Sequence, residues 1–484
     1  MHPLQIPKSL IFSFSSCNNL FSFPLQNHTK KPILNTFFPP ISTSILHNWN
    51  GFRISASIDR SIPSKPSEFT REGDEEMAGG QIKTVDVAAL GNLCVDVVLT
   101  VPSLPPAALD ERKAYMERLS ASPPDKKNLE AGGNCNLAIA AARLGLRCVA
   151  LGHVGNEVYG HFLLDVLQEE GIVMIKMDED AEVANRSSCE TLLCWVLVDP
   201  MQKHEFCSRA DFNEEPAFSW MSKLSDQVHM AIKQSKILFC NGHLFDELSP
   251  GLITYALEYA RDVGTTIFFD PGPRGESLLH GTPEEKKAIK LFLKMSDVLL
   301  LTADEAEAVT GLANPILAGQ ELIRKGMHTK WVIIKVGSKG SILIAASTIS
   351  CAPSFKVNVV DTVGCGDSFA AAVALSFLHD VSPVATLALA NAVGAATAMG
   401  YGAGRNVANL TKVLELLTIS NLNEDDKLWN ELVGVNSDAT EVSLLSNTVI
   451  DGCNARLTMV PMQEVISELL PKLETLMDIR AVPT

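Results

Sequence analysis

The first 58 residues contain no Asp or Glu, although the whole chain of 484 residues has 56 acidic side chains and a net charge of −16. This segment is rich in Ser, Phe, Pro and Asn, and its charged residues are Lys8, Lys30, Lys31 and Arg53. A Ser-rich, acid-poor N-terminus is typical of organelle transit peptides. We therefore predict a transit peptide over residues 1–58, directed to the chloroplast or another plastid, with the mitochondrion and the cytosol as alternatives.

Several other patterns are missing. The 11 cysteines form no C-x-x-C pair and no Cys/His cluster with zinc spacing. No apolar run reaches the length of about 18 residues that a transmembrane helix needs, and the negative net charge argues against nucleic acid or an anionic membrane as partner. The P-loop pattern G-x-x-x-x-G-K-[ST] is absent, and the glycine run at 400–404 follows no strand, so it is a weak dinucleotide-binding pattern.

Short apolar runs and helical patterns alternate through the middle of the chain. The runs at 237–240, 266–269, 298–301 and 332–336 predict strands, and 251–263, 284–295, 304–310 and 316–326 predict the helices between them. Continuously apolar strands separated by helices indicate a mostly parallel sheet that is covered on both faces. A β-rich run from 188 to 207 turns at Asp199-Pro200, and this predicts a hairpin outside the βαβ pattern.

The two ends of the chain differ from this middle part. Residues 59–82 are polar and predict a linker, and ordered structure is expected from residue 83. After Arg405 the alternation weakens, with helical patterns at 411–418 and 462–478 and a polar, linker-like stretch over 419–441 between them. We therefore predict a main domain over 83–410 and a partly helical C-terminal extension over 411–484.

The segment 361–367 (DTVGCGD) precedes an alanine-rich apolar run that predicts a buried helix. Gly364 and Gly366 permit a tight turn with free backbone N–H groups, and a helix N-terminus of this kind binds anions. The Asp367 carboxylate would repel an anion there, so its presence needs an explanation. A chemical explanation is that Asp367 takes a proton from a hydroxyl group that attacks a bound phosphoryl group. The alternative is a helix-capping Asp beside turn glycines.

Three further groups of residues have both a chemical and a structural interpretation. Asp96 and Asn136, with the close-approach glycines between them, would suit the hydroxyl groups of a polyol, or they could be turn residues. Glu305 follows a strand and could bind a metal ion directly or through water, or it could simply favour a helix N-terminus. Residues 335–340 (KVGSKG) end a strand and form either a plain turn or a surface for a nucleotide.

The segment 361–367 resembles the C-terminal signature of the PfkB (ribokinase-like) family of carbohydrate and nucleoside kinases. The spacing from Gly132 and Gly133 to Asn136, and on to Gly145 and Gly155, resembles that family's N-terminal signature. The resemblance covers roughly residues 83–410. It implies a ribokinase-like three-layer α/β sandwich with a mostly parallel central sheet and a small β lid, whose segments would be about 97–130 and 187–210.

The resemblance also implies a role for each site residue. The catalytic group would contain the base Asp367 and an anion hole formed by Gly364, Cys365 and Gly366. The sugar side would contain Asp96, Gly132, Gly133 and Asn136. The ATP and Mg²⁺ side would contain Glu305, Lys335, Gly337, Gly340 and Asn391. Asp361 would help to bind a monovalent cation, with K⁺ as the candidate, and the lid could mediate a homodimer.

The resemblance thus implies an ATP-dependent kinase, a plant organellar member of the family, that phosphorylates a hydroxyl group of a fructose- or ribose-type sugar or of a ribonucleoside. The alternative is a weakly active kinase fold that serves as a scaffold or regulatory subunit in a plastid complex. Two departures from the family pattern stand out. Cys365 replaces the usual Ala or Ser, and its thiol pKa is expected to fall at a helix N-terminus. Thr302 replaces the usual Asn before Glu305.

Overall fold

Strands and helices alternate from Val85 onwards, as the apolar runs predict. The computed structural model describes residues 83–177, 190–201, 203–213, 215–434, 439–447 and 457–481, so the predicted transit peptide and linker lie outside the described residues. The strands are β1 (Val85–Leu90), β2 (Leu93–Thr100), β3 (Leu129–Gly133), β4 (Cys148–Gly152), β5 (Val173–Lys176), β6 (Leu192–Val198), β7 (His204–Ser208), β8 (Ser235–Asn241), β9 (Thr266–Asp270), β10 (Val298–Thr302), β11 (Trp331–Lys335), β12 (Gly340–Ile344), β13 (Thr348–Pro353), β14 (Glu441–Ser446) and β15 (Leu457–Pro461).

The helices pack around these strands. They are α1 (Leu109–Leu119), α2 (Asn134–Arg143), α3 (Val158–Glu169), α4 (Asp226–Gln234), α5 (Pro250–Asp262), α6 (Arg274–His280), α7 (Pro283–Met295), α8 (Ala303–Thr310), α9 (Pro315–Lys325), α10 (Cys365–Leu378), α11 (Pro383–Ala398), α12 (Leu410–Ile419), α13 (Asp426–Val433) and α14 (Met462–Ala481). Among the described residues, no helix is long and apolar enough to span a bilayer.

The large sheet has the order β15-β14-β13-β12-β11-β10-β9-β8-β1-β4-β5. All neighbouring pairs are parallel except the two that involve β12, which runs antiparallel to β11 and β13. Helices α2, α3, α10, α11, α12 and α14 contribute to the core on one face, and α4 to α9 with α13 contribute to the core on the other. The three-layer sandwich predicted from the sequence is therefore confirmed, and its strands are covered on both faces.

A second sheet, in the order β3-β2-β6-β7, forms the lid. Because side chains alternate along a strand, Asp96 and Cys194 lie on one lid face, whereas Val97, Trp195 and Cys207 lie on the other. We call the face with Trp195 the outer face. Its apolar side chains are buried in one cluster with Met116 of α1.

Helix α1 belongs to the insertion between β2 and β3, and it is tied to the lid by Arg112. The guanidinium group pairs with Glu205 of β7 and with Asp211, and it donates to the carbonyl oxygen of Phe206 at 2.8 Å. The outer lid face is therefore covered from within the same chain.

The C-terminal extension contains more regular structure than its sequence pattern predicts. The predicted linker over 419–441 includes α13, which buries Trp429. Strands β14 and β15 extend the central sheet from β13, and α14 packs on the core beside α11.

Candidate active site

The carboxyl ends of four neighbouring parallel strands place polar side chains along one edge of the central sheet. Asn241 pairs in register with Asp270 across β8 and β9, and Thr302 pairs with Lys335 across β10 and β11. Ligands in parallel α/β sheets bind beyond this end of the strands. These polar side chains therefore lie at the end of the sheet where ligands of parallel α/β proteins bind.

Helix α10 begins at Cys365, directly in front of this edge. Gly364 at its N-cap has a φ of +75°, and a Cβ there would lie 2.7 Å from the Ala403 side chain, so the turn needs glycine. Asp367 lies in the first turn of the helix. Burial and the nearby Asp270 carboxylate raise the pKa of Asp367 to about 6, although Lys335 and Asn136 oppose the rise.

The predicted sugar-side residues come together beside Asp367. Asn136 of α2 donates from Nδ2 to the Asp367 carboxylate at 3.4 Å, and its Oδ1 accepts the Gly404 N–H at 2.7 Å. Asp96 projects from β2 over Gly132, where a Cβ would lie only 2.0 Å from Asp96 Oδ1. Gly132 is therefore required by the position of the Asp96 carboxylate. Burial raises the pKa of Asp96 to about 7, with further contributions from the Asp367 and Glu130 carboxylates.

The second glycine, Gly133, has a φ of +58° and leads into α2. Asn134 follows it and is fully buried, and its amide donates to the carbonyl oxygens of Leu90 and Gly91 at 3.1 and 2.9 Å. Asn134 therefore fixes the end of β1 from inside the protein.

Lys335 lies closer to the anion hole than its assignment to the nucleotide side suggests. Its Nζ pairs with Asp270 at 2.7 Å, and a Cβ at Gly366 would be 3.8 Å from that nitrogen. Burial alone would lower the pKa of Lys335, but the carboxylates of Asp270 and Glu305 outweigh it and raise that pKa. A positive charge thus stays beside the N-terminus of α10.

Glu305 forms a capping box with Thr302, because its Oε2 accepts the Thr302 N–H at 2.7 Å while the Thr302 hydroxyl accepts the Glu305 N–H. Burial and Asp270 raise the pKa of Glu305. Among the described residues, no three His, Cys, Asp or Glu side chains form a metal-binding group. The Asp270 and Glu305 carboxylates nevertheless fit Mg²⁺, which commonly takes one or two carboxylates together with substrate phosphates and water.

The predicted nucleotide loop follows β11. Gly337 and Gly340 both have positive φ, and a Cβ at Gly340 would lie 2.1 Å from the carbonyl oxygen of Ala352. The amide of Asn391 is occupied within the core, where it accepts the Ser341 hydroxyl and donates to the carbonyl oxygen of Ala352. Asn391 therefore supports β12 and β13, the strands behind the loop.

The Asp361 carboxylate joins two loops. One oxygen accepts the Val363 N–H at 3.0 Å, and the other accepts the Gly402 N–H at 2.8 Å. The glycine-rich run at 400–404, which the sequence left without a role, is thus placed against the anion-hole loop.

The expected fall in the thiol pKa of Cys365 is wrong. Burial, together with the carboxylates of Asp361 and Asp367, raises this pKa to about 12. The helix N-terminus does favour a thiolate, but two negative charges and the loss of solvent outweigh it. Cys365 is therefore a small, largely protonated part of the turn.

Sequence reasoning did not select Glu130 and Arg405. The Arg405 guanidinium binds both oxygens of the Glu130 carboxylate at 3.0 Å and donates to the carbonyl oxygen of Leu129 at 3.1 Å. Glu130 pairs in register with Asp96. The two residues are 275 positions apart, so no local pattern in the sequence indicates the pair.

The model of the pfkB family of carbohydrate kinases matches residues 86–409. Fructokinase-1 of Zea mays is 25% identical over 342 residues, which cover 68% of this chain and 97% of that protein. The 5-dehydro-2-deoxygluconokinase of Bacillus anthracis is 28% identical over 299 residues, 59% of this chain and 81% of the relative.

Two solved structures share the fold. A putative ribokinase II from E. coli in complex with ATP and Mg²⁺ aligns with a TM-score of 0.55 at 18% identity, over 69% of this chain and 99% of that one. A fructokinase with bound ATP from Xylella fastidiosa aligns with a TM-score of 0.51 at 20% identity, over 70% and 99%.

Proposed function

Because the chain belongs to the pfkB family of carbohydrate kinases and is a phosphotransferase, we propose that it transfers the γ-phosphoryl group of ATP to a hydroxyl group of a neutral sugar, with Asp367 as the general base. The observation that carries this proposal is the position of Asp367. It lies in the first turn of α10, at the N-terminus of the helix, and within hydrogen-bonding distance of Asn136.

The chain's own residues would act in two places. Asp96 and Asn136 hold and orient the sugar, and the Asp367 carboxylate accepts the proton of the attacking hydroxyl as its oxygen bonds to the γ-phosphorus. The bond between that phosphorus and the β–γ bridging oxygen breaks, and ADP leaves. The N–H groups of Gly364 and Gly366 would offset the charge on the transferred group, which is the main task in phosphoryl transfer. The Cys365 N–H would join them by giving up its long hydrogen bond, 3.3 Å, to the carbonyl oxygen of Thr362.

The nucleotide would lie against Gly337 and Gly340, with Lys335 beside the phosphates. Mg²⁺, held near Glu305 and Asp270 directly or through water, would supply charge neutralisation to the phosphates when bound. Asp361 is the carboxylate that would balance a K⁺ ion near the anion hole.

The charge of the site favours a neutral acceptor. The cations around it are each paired with an acid: Lys335 with Asp270, Arg405 with Glu130, and Arg274 with Asp246. A sugar acid or sugar phosphate needs an uncommitted cation, and the described residues of the site provide none. A fructose- or ribose-type sugar therefore fits better than either, and a ribonucleoside is the next class to test.

The cellular location belongs to the same proposal. We propose that residues 1–58 direct an organellar kinase to a plastid and that the catalytic domain spans about 83–410. The acid-free composition of that N-terminal segment supports the location.

The test is ATP turnover with Mg²⁺ across a panel of ketohexoses, pentoses, sugar acids, sugar phosphates and ribonucleosides. Wild-type protein should consume ATP only with a neutral sugar. Asp367→Asn keeps the shape of the side chain but removes the base, and it should lower kcat by about a thousandfold, within the range typical of lost general bases. Asp304→Asn, an exposed acid on α8, is the matched control and should leave kcat unchanged.

Two results would refute the proposal: full activity in Asp367→Asn, or no turnover by wild type with any acceptor. The second result would favour the scaffold alternative, in which the fold serves a plastid complex without catalysis.

A further inference from the structure

The predicted nucleotide loop is closed by short backbone hydrogen bonds, from Val336 N–H to the carbonyl oxygen of Gly340 at 2.8 Å and from Lys339 N–H to that of Val336 at 3.1 Å, but it buries little surface. Gly337, Ser338 and Lys339 are all exposed, and a Cβ at Gly337 would meet no atom within 4 Å. Fixing exposed backbone costs conformational entropy, and this loop recovers little of it by burial. Contacts from elsewhere in the chain therefore add to the local support of this loop.

Such contacts come from residues 420–425, which we call the brace. The brace follows α12 and lies beyond the family match, which ends at residue 409. Asn423 donates from Nδ2 to the carbonyl oxygen of Ser338 at 2.7 Å, and the Asp425 carboxylate pairs with Lys339 Nζ at 2.6 Å. Two neighbouring loop residues are thus each held by one side chain of the brace.

The brace is also joined to the strand end behind the loop. The Asn423 N–H donates to the carbonyl oxygen of Ser354 at 2.6 Å, and the Lys356 N–H donates to that of Asn421 at 2.8 Å. Ser354 in turn donates its N–H to the carbonyl oxygen of Lys339 at 3.3 Å. The loop, the residues after β13 and the brace therefore form one hydrogen-bonded unit.

The other side of the brace is anchored in the C-terminal extension. Glu424 accepts the Asn447 N–H at 2.7 Å just after β14, and Asp425 caps α13 by accepting the Leu428 N–H at 3.1 Å. Helix α13 buries Trp429 in the core, where that side chain is 2% exposed. The brace is fixed by folded structure on both sides.

We propose that the brace is a positioning element of the nucleotide site: it holds residues 337–340 in the conformation against which ATP binds. This inference rests on the proposed function, because it takes the loop as the nucleotide surface. It gives the C-terminal extension a part in ATP binding, with Asn423 and Asp425 as the positioning residues.

The test uses the full chain with the double substitution Asn423→Ala and Asp425→Asn. Asn caps a helix as well as Asp does, so the second change removes the ion pair to Lys339 and spares α13. Calorimetric titration with Mg·ATP should give a Kd about tenfold higher than wild type. The KM for ATP should rise in parallel, while the KM for the sugar and kcat at saturating ATP stay within about twofold.

Glu321→Gln is the matched control, because it also removes a surface acid that is paired with basic side chains, on α9. It should leave the Kd for Mg·ATP unchanged. Asp425→Asn alone is the milder variant to use if the double variant unfolds at the assay temperature, and it should raise the Kd about threefold.

An unchanged Kd for Mg·ATP in the substituted proteins would refute the positioning role of the brace. An equal rise in the KM values for ATP and for the sugar would also refute it, because that result indicates a general loss of structure in the site. If the proposed function is wrong, the result is different: wild-type protein itself would bind no Mg·ATP, and the proposed role of the brace would be refuted as well.

Discussion

At the scale of single residues, two carboxyl groups dominate the site. Burial raises the pKa of Asp367 to about 6 and that of Asp96 to about 7, and the Asp367 carboxylate lies near enough to Asp96 to contribute to the second rise. A general base works best when its pKa lies near the operating pH. Burial therefore brings the pKa of Asp367 into the range that suits a general base near neutral pH.

The pH dependence of the sugar reaction follows from these two values. The proposed base Asp367 must be ionised to accept a proton, so kcat/KM for the sugar should be nearly constant above about pH 8 and should fall as the pH drops through 6, or through 7 and 6 if Asp96 must be ionised as well. The slope of log(kcat/KM) against pH should approach two below pH 6 if Asp96 must be ionised as well, and one if only Asp367 must be. Initial rates between pH 5 and 9 measure it. A flat profile down to pH 5 would contradict both roles.

The sequence predicted tight backbone beside two candidate carboxylates, Asp367 and Asp96. In the structure Gly364 and Gly132 do lie where a side chain would clash with its surroundings, and the roles of the two carboxylates stay predictions. The thiol pKa of Cys365 could not be predicted, because it depends on charges that folding brings near it. The salt bridges of Lys335 and Arg405 were missed for the same reason.

At the scale of secondary-structure elements, the segment 400–405 links the lid to the candidate active site. Its N–H groups hold Asn136 and Asp361, and Arg405 at its end grips Glu130 on the lid strand β3. Gly404 allows this approach, since a Cβ there would lie 2.7 Å from the carbonyl oxygen of Ala131. A movement of the lid should therefore shift Asn136 in the proposed sugar site.

Breaking the Arg405–Glu130 pair should weaken sugar binding. The pair is bidentate and partly shielded, so Arg405→Gln should cost about 1 kcal/mol, which is a rise of about fivefold in the KM for the sugar. The KM for ATP should not change. Exchange of the charges, with Glu130→Arg and Arg405→Glu together, should restore part of the loss, and steady-state kinetics would detect it.

Arg324→Gln serves as the control, because Arg324 pairs with Glu321 on the exposed surface of α9. If the sugar KM were unchanged in Arg405→Gln, or if both KM values rose together, the link through segment 400–405 would not have the role described.

Element prediction succeeded where periodicity was strong. The predicted helices that became α5, α7, α8 and α9 are confirmed to within a residue or so at each end, as are the apolar strands between them. Strands β14 and β15 were missed because they are short and partly exposed, and their formation depends on the open edge of β13. Nothing near residues 441–461 in the sequence indicates that edge.

At the scale of the whole molecule, the lid is completed within one chain. The possible homodimer through the lid stays a prediction, and α1 restricts it to the lid edges and the opposite face, because α1 covers the outer face through Arg112 and Met116. If one chain suffices for activity, the specific activity should be constant over a roughly hundredfold dilution. Activity assays at falling enzyme concentration, with sedimentation at the same concentrations, would test this. A specific activity that falls on dilution would indicate a shared lid.

The strand order of the central sheet also has a consequence for biosynthesis. From β8 to β15, each new strand lies directly beside the one made before it, so the sheet can widen in one direction as the chain leaves the ribosome. The brace is made well after the loop that it contacts, because Asn423 lies 85 positions beyond Ser338. If the brace positions this loop as proposed, a growing chain that has not reached Asp425 should bind ATP less tightly than the full chain.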